Sequence, residues 1–174
     1  MPERKKLIRT HCLFIFFMAF ALYGNTLFHQ YALDDTIFIT GNKFTQKGIE
    51  GIPDILTHDA FVGAYGQALD LSGGRYRPLS LVVFAVEYEL FGLNPFPGHL
   101  INVLLYALTG IFLYLLLIRL LPDYNLWIPL ITSILFIVHP IHTEVVANIK
   151  SRDEILGFLL LIGVLYTLFK GRRR

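Results

Sequence analysis

The chain has 174 residues, of which 55% are hydrophobic and 14% aromatic, and its formal net charge is +2. Charged residues make up 16%, against about 25% in an ordinary soluble domain. This composition excludes a disordered chain, a disulfide-stapled secreted domain and a nucleic-acid-binding module, so nucleic acid is not an expected partner. The apolar residues occur in long runs rather than in spaced stripes, which predicts an all-α polytopic membrane protein.

Four apolar segments are predicted to span the membrane, because a hydrocarbon core of about 30 Å requires about 20 mostly apolar helical residues. They are residues 13–28, 100–121, 126–138 and 155–169. The second is the clearest, since its one charged residue, Arg119, lies close to its end. The third is short, and Trp127 is placed as an interfacial anchor.

The N-terminal segment has an alternative interpretation. A basic start, an apolar stretch and the sequence Ala19-Phe20-Ala21 also fit a signal peptide with a cleavage site. The apolar run continues to Phe28 at spanning length, which favours a membrane span. Cys12 is the only cysteine, which excludes an intrachain disulfide and a cysteine-based metal site.

The distribution of charge predicts the orientation, with both termini cytoplasmic. The inner segments then hold nine basic residues against two acidic ones, Glu3 and Asp123, and the outer segments hold six basic residues against eleven acidic ones. The chain is therefore divided into a cytoplasmic N-terminus with the first span (1–28), a long outer loop with amphipathic surface helices (29–98), and three further spans with a basic cytoplasmic C-terminus (99–174).

The long outer loop carries the first candidate site. Asp34 and Asp35 are adjacent carboxylates just beyond the first span, where mutual repulsion and poor solvation are expected to raise one pKa. Such a carboxylate can accept a proton near neutral pH. The alternative for any Asp-Asp pair is a solvated helix end or a turn. Later in this loop, Pro78–Phe91 is apolar but contains two glutamates, so it is predicted to lie on the membrane surface.

Two further charged clusters lie on the predicted outer face. Arg75 and Arg77 are spaced to bind a phosphate headgroup bidentately, or to pair with lipids and carboxylates in general. The outer turn between the third and fourth spans is rich in ionisable residues, which are functional candidates at this depth. On a continuous helix, Glu144 and Arg152 of that turn would lie on one face. A metal site at His139, His142 and Glu144 is not predicted, because the i, i+3 histidine spacing is too generic.

Several motifs occur in an order that resembles a known family. They are Asp34-Asp35, Tyr76-Arg77-Pro78-Leu79, the Leu-Phe-Gly-Leu-Asn-Pro end of the surface helix, His-Leu-Ile-Asn-Val-Leu-Leu at 99–105, His139-Pro140-Ile141-His142-Thr143-Glu144 and Ser151-Arg152-Asp153-Glu154. This order resembles the N-terminal part of the transmembrane-and-tetratricopeptide-repeat O-mannosyltransferases and their bacterial relatives. More distantly it resembles the protein O-mannosyltransferases, and therefore part of the C-type glycosyltransferase fold.

The resemblance implies an enzyme that transfers a sugar, a hexose such as mannose, from a polyprenyl-phosphate donor to a hydroxyl of a protein or glycan acceptor on the outer face. Asp34 or Asp35 would deprotonate the acceptor. Arg152 matches an arginine that contacts the donor phosphate in the distant relatives, and Arg77 is a second candidate. The remaining matched positions are predicted to bind substrate or to be structural; they are Tyr76, His139, His142, Glu144 and Asp153. The scheme needs no cofactor and no metal, and leaves the presence of a divalent metal open.

The length of the chain limits what the resemblance implies. Family members carry more spans than four and, in the namesake group, a tetratricopeptide array, so the chain is expected to be a fragment that is inactive alone. The alternative function is a non-catalytic membrane fragment or assembly partner that keeps part of the fold. Contact with membrane lipid is expected in either case. Short loops and small size favour the bacterial inner membrane over the endoplasmic reticulum.

Overall fold

The computed structural model describes residues 2–68 and 76–169, and within these residues the chain forms only helices and turns. The all-α prediction is confirmed. The α-helices are α1 (Pro2–Tyr23), α2 (Ile52–Thr57), α3 (Ala60–Tyr65), α4 (Pro78–Phe91), α5 (Pro95–Leu120), α6 (Trp127–Val138), α7 (His142–Ala147) and α8 (Arg152–Leu168). Between them lie 3-10 turns at Gly24–Phe28, Thr45–Gly51 and Ile149–Ser151, and a π-helical turn at Thr36–Thr40.

The helix starts follow from the local sequence. Proline lies in the first turn of α2, α4 and α5, where its missing N–H costs no hydrogen bond. The side chain of Asn94 caps α5 by accepting a hydrogen bond from the Phe96 N–H at 3.1 Å. The predicted surface helix Pro78–Phe91 has the bounds that the sequence suggested, and it ends at Gly92 with φ +63°.

The bundle layer consists of α1, α5 and α6, with α8 also packed against α5. Its buried core is aliphatic and aromatic, and includes Ile15, Val103, Tyr114 and Ile137. Cys12 is half-buried against this core. The Arg119 guanidinium donates to the Tyr166 carbonyl oxygen and thereby ties the end of α5 to the end of α8.

Large apolar side chains also point away from the bundle layer. Phe17 on α1 is 64% exposed, Leu135 on α6 is 62% exposed, and Leu168 on α8 is 71% exposed. Two helical stretches, Pro2–Phe28 and Pro95–Leu120, are long and apolar enough to cross a membrane. The helices α6 and α8 have 12 and 17 residues and are shorter than the usual span. Apolar exposure and helix length favour a membrane location, and the count of four spans stays a prediction.

The outer layer is built from residues 31–65, from α4 and from the α7–α8 turn. Its core comprises Phe38, Ile39, Ile55, Ala60, Leu81, Phe84, Ala85 and Ile149. Gly48 lies at φ +64°, and a Cβ there would fall 1.9 Å from a carboxylate oxygen of Glu89, so the close approach of α4 requires glycine. The division at residues 28 and 98 stays a prediction; α5 already begins at Pro95.

The outer turn before α8 differs from the expected continuous helix. The helix α7 ends at Ala147, and Asn148 is extended with φ −99° and ψ 118°. Glu144 is therefore exposed on α7, whereas Arg152 is buried at the start of α8. The expectation that these two side chains share one helix face is wrong, because the break at Asn148 turns the chain between them.

Candidate functional site

The adjacent residues Asp34 and Asp35 lie in a tight loop that is closed by hydrogen bonds between Ala32 and Asp35. The Asp35 N–H donates to the Ala32 carbonyl oxygen at 3.0 Å, and the Asp35 carboxylate accepts from the Ala32 N–H at 3.0 Å. Within this loop, Leu33 has φ +47°, which is uncommon for a residue with a side chain. Strained backbone of this kind is concentrated at functional sites. The loop turns Asp35 inward and leaves Asp34 exposed.

Asp35 connects the first outer loop to the outer turn by a hydrogen bond. Its side chain is fully buried, and its second carboxylate oxygen accepts from the Lys150 N–H at 2.8 Å. Burial raises the pKa of this carboxyl, against the opposing effect of the two backbone hydrogen bonds. The neighbouring Asp34 raises the same pKa to a lesser degree. Both oxygens are therefore already bound, and neither faces open space.

Asp34 instead lines a cleft of about 300 Å³, which we call the polar cleft. Its charged lining residues are Asp34, Arg77, Lys150 and Glu154, and its apolar walls are Ile37, Phe38 and Phe61. The cleft therefore holds two carboxylates and two cations. Carboxylates accept hydrogen bonds from hydroxyl groups, and cationic side chains bind phosphate, so the arrangement suits a phosphorylated sugar.

The motif Tyr76-Arg77-Pro78-Leu79 places Arg77 in the lining of the polar cleft. Its guanidinium donates to the Asp153 carboxylate, and its side chain remains 46% exposed. The preceding Tyr76 hydroxyl donates to the Leu56 carbonyl oxygen at 2.7 Å and anchors the segment to α2. Arg75 lies outside the described residues. Arg77 of the predicted arginine pair lines the polar cleft.

Lys150 has a place in the cleft that the sequence did not assign. Its ammonium lies 5.4 Å from the centre of the Phe38 ring, and its backbone N–H is held by Asp35. In the sequence, Lys150 is one of several charged residues in a short turn. It is distinguished only in the folded chain, where its backbone N–H bonds to the Asp35 carboxylate. Asp34, Arg77 and Lys150 thus converge from three separate parts of the sequence.

Arg152 belongs to a polar network that does not line the polar cleft, and its own side chain is fully buried. Its Nε donates to the Asn102 amide oxygen at 2.8 Å, one terminal nitrogen donates to the Gly98 carbonyl oxygen at 2.9 Å, and the other pairs with the Glu87 carboxylate. Each guanidinium nitrogen already has a protein acceptor, and the side chain is fully buried, so a phosphate cannot reach Arg152 unless its surroundings move. The donor-phosphate role of Arg152 stays a prediction.

The network also includes two residues to which the sequence gave no role. Glu87 projects from α4 toward Arg152 rather than toward solvent, and burial raises the pKa of its carboxyl despite the nearby guanidinium. The Asn102 amide donates to the Asn148 carbonyl oxygen at 3.0 Å, at the break between α7 and α8. A glutamate inside an apolar helix and an asparagine inside an apolar span were the available sequence signals for these two positions.

The histidine motif lies on the α6–α7 side of the outer turn. The His142 ring packs 4.4 Å from the Phe136 ring, and burial lowers its pKa. The exposed His139 accepts from the Ile141 N–H at 3.3 Å, and Glu144 is exposed on α7. None of the three lines the polar cleft. Within residues 2–68 and 76–169 no cluster of three or more metal-ligating side chains is placed to hold an ion.

Comparison with known proteins gives relatives of one kind. No family model and no solved structure matches the chain. The human protein O-mannosyl-transferase TMTC1 is 35% identical over 140 residues, which are 80% of this chain and 16% of that protein. Human TMTC2 is 37% identical over 150 residues, 82% of this chain and 17% of that protein. A Xenopus laevis TMTC2 is 38% identical over 146 residues.

The resemblance predicted from the motifs is therefore confirmed. The chain is homologous to protein O-mannosyl-transferases. Within that class, its relatives include TMTC1, TMTC2 and TMTC3, and it spans 16–17% of the length of the human proteins. These relatives are animal proteins, and they give no support to the bacterial inner membrane that the sequence favoured.

Proposed function

We propose that this chain forms the catalytic cleft of a membrane glycosyltransferase. In this proposal a hexose such as mannose passes from a polyprenyl-phosphate donor to a hydroxyl of a protein or glycan acceptor on the outer face. The observation that carries it is the convergence of Asp34, Arg77 and Lys150 on one cleft. The names of the relatives supply the class of reaction, and their animal origin favours the endoplasmic reticulum as the location.

Asp34 is assigned as the base, because it is the exposed member of the carboxylate pair. The acceptor oxygen attacks the anomeric carbon, its proton passes to the Asp34 carboxylate, and the bond from that carbon to the phosphate oxygen breaks. The lipid phosphate leaves with the electron pair. Asp35 positions the base by holding its loop against the Lys150 backbone at 2.8 Å.

Arg77 and Lys150 are assigned to the donor phosphate. Negative charge grows on the leaving phosphate during transfer, and fixed cations that face this charge stabilise the transition state. Arg77 provides a planar guanidinium that can bind two phosphate oxygens, and Lys150 provides a point charge. The scheme uses no metal and no organic cofactor.

The membrane arrangement is part of the proposal. The helices α1, α5, α6 and α8 cross the bilayer, both termini are cytoplasmic, and the outer layer lies at the lumenal or external surface. The uneven distribution of charge supports this orientation. The exposed apolar side chains of α1, α6 and α8 support lipid contact. A donor that keeps its prenyl chain in the bilayer requires a cleft at this interface.

The test is transfer of mannose from polyprenyl-phosphate mannose to a serine- and threonine-containing peptide by the chain in lipid vesicles. Asp34→Asn should lower the transfer rate by about a thousandfold, since it removes the base, with donor binding unchanged. Asp123→Asn is the matched control and should leave the rate unchanged.

Full activity of Asp34→Asn would contradict the assignment of the base. A wild-type chain that neither binds the donor nor transfers its sugar would support the alternative function, a non-catalytic membrane fragment or assembly partner.

A further inference from the structure

The 3-10 turn Ile149–Ser151, which lies between α7 and α8, carries Lys150 into the lining of the polar cleft. The residue before this turn, Asn148, is extended with φ −99° and ψ 118°, so the helical hydrogen bonding of α7 does not continue into it. Irregular chain needs hydrogen-bond partners from other segments. The place of the Lys150 side chain in the cleft therefore depends on the partners that fix this turn.

Asn102 of α5 fixes the turn at its beginning. The Asn102 side chain is fully buried, and its amide nitrogen donates to the Asn148 carbonyl oxygen at 3.0 Å. The same oxygen accepts from the Ser151 N–H at 3.1 Å, which closes the turn. A carbonyl oxygen has two lone pairs, and both are then engaged. The bond from Asn102 thus connects irregular chain to a helix of 26 residues.

Asp35 fixes the next peptide group of the turn. Its carboxylate accepts from the Lys150 N–H at 2.8 Å, and this N–H belongs to the peptide group that follows the one bound by Asn102. Two consecutive peptide groups are therefore fixed by side chains of two distant segments. With the backbone of Lys150 placed in this way, its ammonium lies 5.4 Å from the centre of the Phe38 ring.

The site of Asn102 requires a side chain that both donates and accepts. While the amide nitrogen donates to the turn, the amide oxygen accepts from the Arg152 Nε at 2.8 Å. A carboxylate at this position could accept from Arg152 but could not donate to the turn, and a leucine could do neither. A substitution by aspartate therefore separates the bond to the turn from the bond to Arg152.

We infer that Asn102 is a positioning residue, which fixes the turn so that the Lys150 ammonium faces the donor phosphate in the polar cleft. This inference rests on the proposed function and extends it to a residue that does not line the cleft. Asn102 acts through Lys150 and touches no substrate. Misplacement of a reacting or binding group by about 1 Å can cost about a hundredfold in rate, so a distant residue can have a large effect.

The experiment measures binding of radiolabelled mannose 1-phosphate to the chain in phosphatidylcholine nanodiscs. Asn102→Leu should weaken binding about tenfold, which is the usual worth of a hydrogen bond to a charged group. Asn102→Asp keeps the acceptor for Arg152 and should weaken binding to a similar degree, because it also lacks the donor to the turn. It provides the same comparison if Asn102→Leu does not fold.

Thr109→Val is the matched control within α5. The Thr109 side chain is also buried, but its hydroxyl donates to the Leu105 carbonyl oxygen at 2.8 Å inside the same helix. This variant should bind mannose 1-phosphate as the wild type does. Wild-type affinity in the folded Asn102→Asp variant would overturn the inference, since the bond to the turn would then have no effect on the cleft.

A double-mutant cycle with Lys150→Met distinguishes positioning from a general loss of structure. Lys150→Met should itself weaken mannose 1-phosphate binding about tenfold, because it removes the ammonium. Asn102→Leu added to Lys150→Met should cause no further loss, since the group that Asn102 positions is already absent. Losses that multiply in the double variant would overturn the inference, because a general effect does not depend on Lys150.

Hydrogen–deuterium exchange at the Lys150 amide tests the same inference without a ligand. Asn102→Leu should increase exchange of this amide about tenfold or more, although Asp35 is still present to accept its hydrogen bond. Unchanged exchange would overturn the inference and leave the proposed function intact. If exchange increases but the folded wild type does not bind mannose 1-phosphate, the proposed function is overturned together with the phosphate role of Lys150, and Asn102 is confirmed only as a residue that fixes the turn.

Discussion

The bundle layer and the outer layer bury polar groups in different ways. In the bundle, the Ser133 hydroxyl donates to the Pro129 carbonyl oxygen at 2.8 Å within its own helix, and bonds between helices, such as that of the Tyr106 hydroxyl to the Ile137 carbonyl oxygen, reach the ends of helices. In the outer layer, the buried side chains of Asp35 and Asn42 each bond to the backbone of another segment, and Asn102 of α5 reaches the outer turn in the same way. A helix satisfies its own backbone, whereas irregular chain needs partners from elsewhere. The outer layer, which contains the polar cleft, is therefore held by a few specific side chains.

Substitution of Arg152 should cause the largest loss in the free energy of unfolding, because its side chain bonds to several segments of the chain. Arg152→Met removes the guanidinium but leaves the Glu87 carboxylate, whose side chain is 15% exposed, without its cation. Loss of one partner of a buried pair costs about 3–5 kcal/mol, so we expect a decrease of that size in the free energy of unfolding. Titration with sodium dodecyl sulphate in mixed micelles measures it.

The control for this prediction is the double variant Arg152→Met with Glu87→Gln. It removes the uncompensated charge and should recover about half of the lost stability, which gives a coupling energy between the two positions. A loss below about 1 kcal/mol in the single variant would show that the network does not hold the outer layer.

Asn42 provides a smaller test of the same comparison. Its amide group donates to the Ala60 carbonyl oxygen at 2.9 Å, and its oxygen accepts from the Phe44 N–H at 3.1 Å. Asn42→Ala leaves these buried backbone groups unsatisfied and should cost about 2–3 kcal/mol. The matched variant in the bundle, Ser133→Ala, removes a bond that its helix does not need and should cost less than about 1 kcal/mol. Equal losses in thermal unfolding would remove the distinction between the layers.

The sequence predicted the long apolar helices better than the irregular chain of the outer layer, for a physical reason. Long apolar runs specify helices by themselves, and α6 of the bundle layer and α4 of the outer layer both begin and end within a residue of their predicted bounds. The break at Asn148 was missed because it depends on the Asn102 amide, which reaches it from 46 residues away. Local periodicity carries no information about such a contact.

The candidate site shows the same limit. Asp34 and Arg77 were found through their motifs, but the motif does not reveal which of two adjacent aspartates is buried. That choice depends on the Lys150 N–H, which lies 115 residues along the chain from Asp35. Lys150 itself is indistinguishable in sequence from a solvated lysine. The sequence could not predict the burial of Asp35 or the place of Lys150, because both depend on a contact between residues distant in sequence.

The smallest expected effect is a pH dependence confined to the outer layer. Burial raises the pKa of Asp35 in the folded chain above the unfolded value of about 3.9. Between these two pKa values the folded chain binds the proton more tightly, so stability is greatest at low pH and is lost as the pH rises. Relative to Asp35→Asn, the wild type should lose stability as the pH rises above about 4.

Hydrogen–deuterium exchange, corrected for its intrinsic pH dependence, can assign this loss to one layer. The Lys150 amide, which donates to Asp35 at 2.8 Å, should become less protected in the wild type as the pH rises. Amides of the bundle helix α5 near Ala107 should not change, because that stretch of the helix is held by apolar packing. The difference from Asp35→Asn removes the contributions that are common to both proteins. Greater protection of Lys150 at higher pH would mean that its hydrogen bond to the ionised carboxylate outweighs the cost of burying that charge.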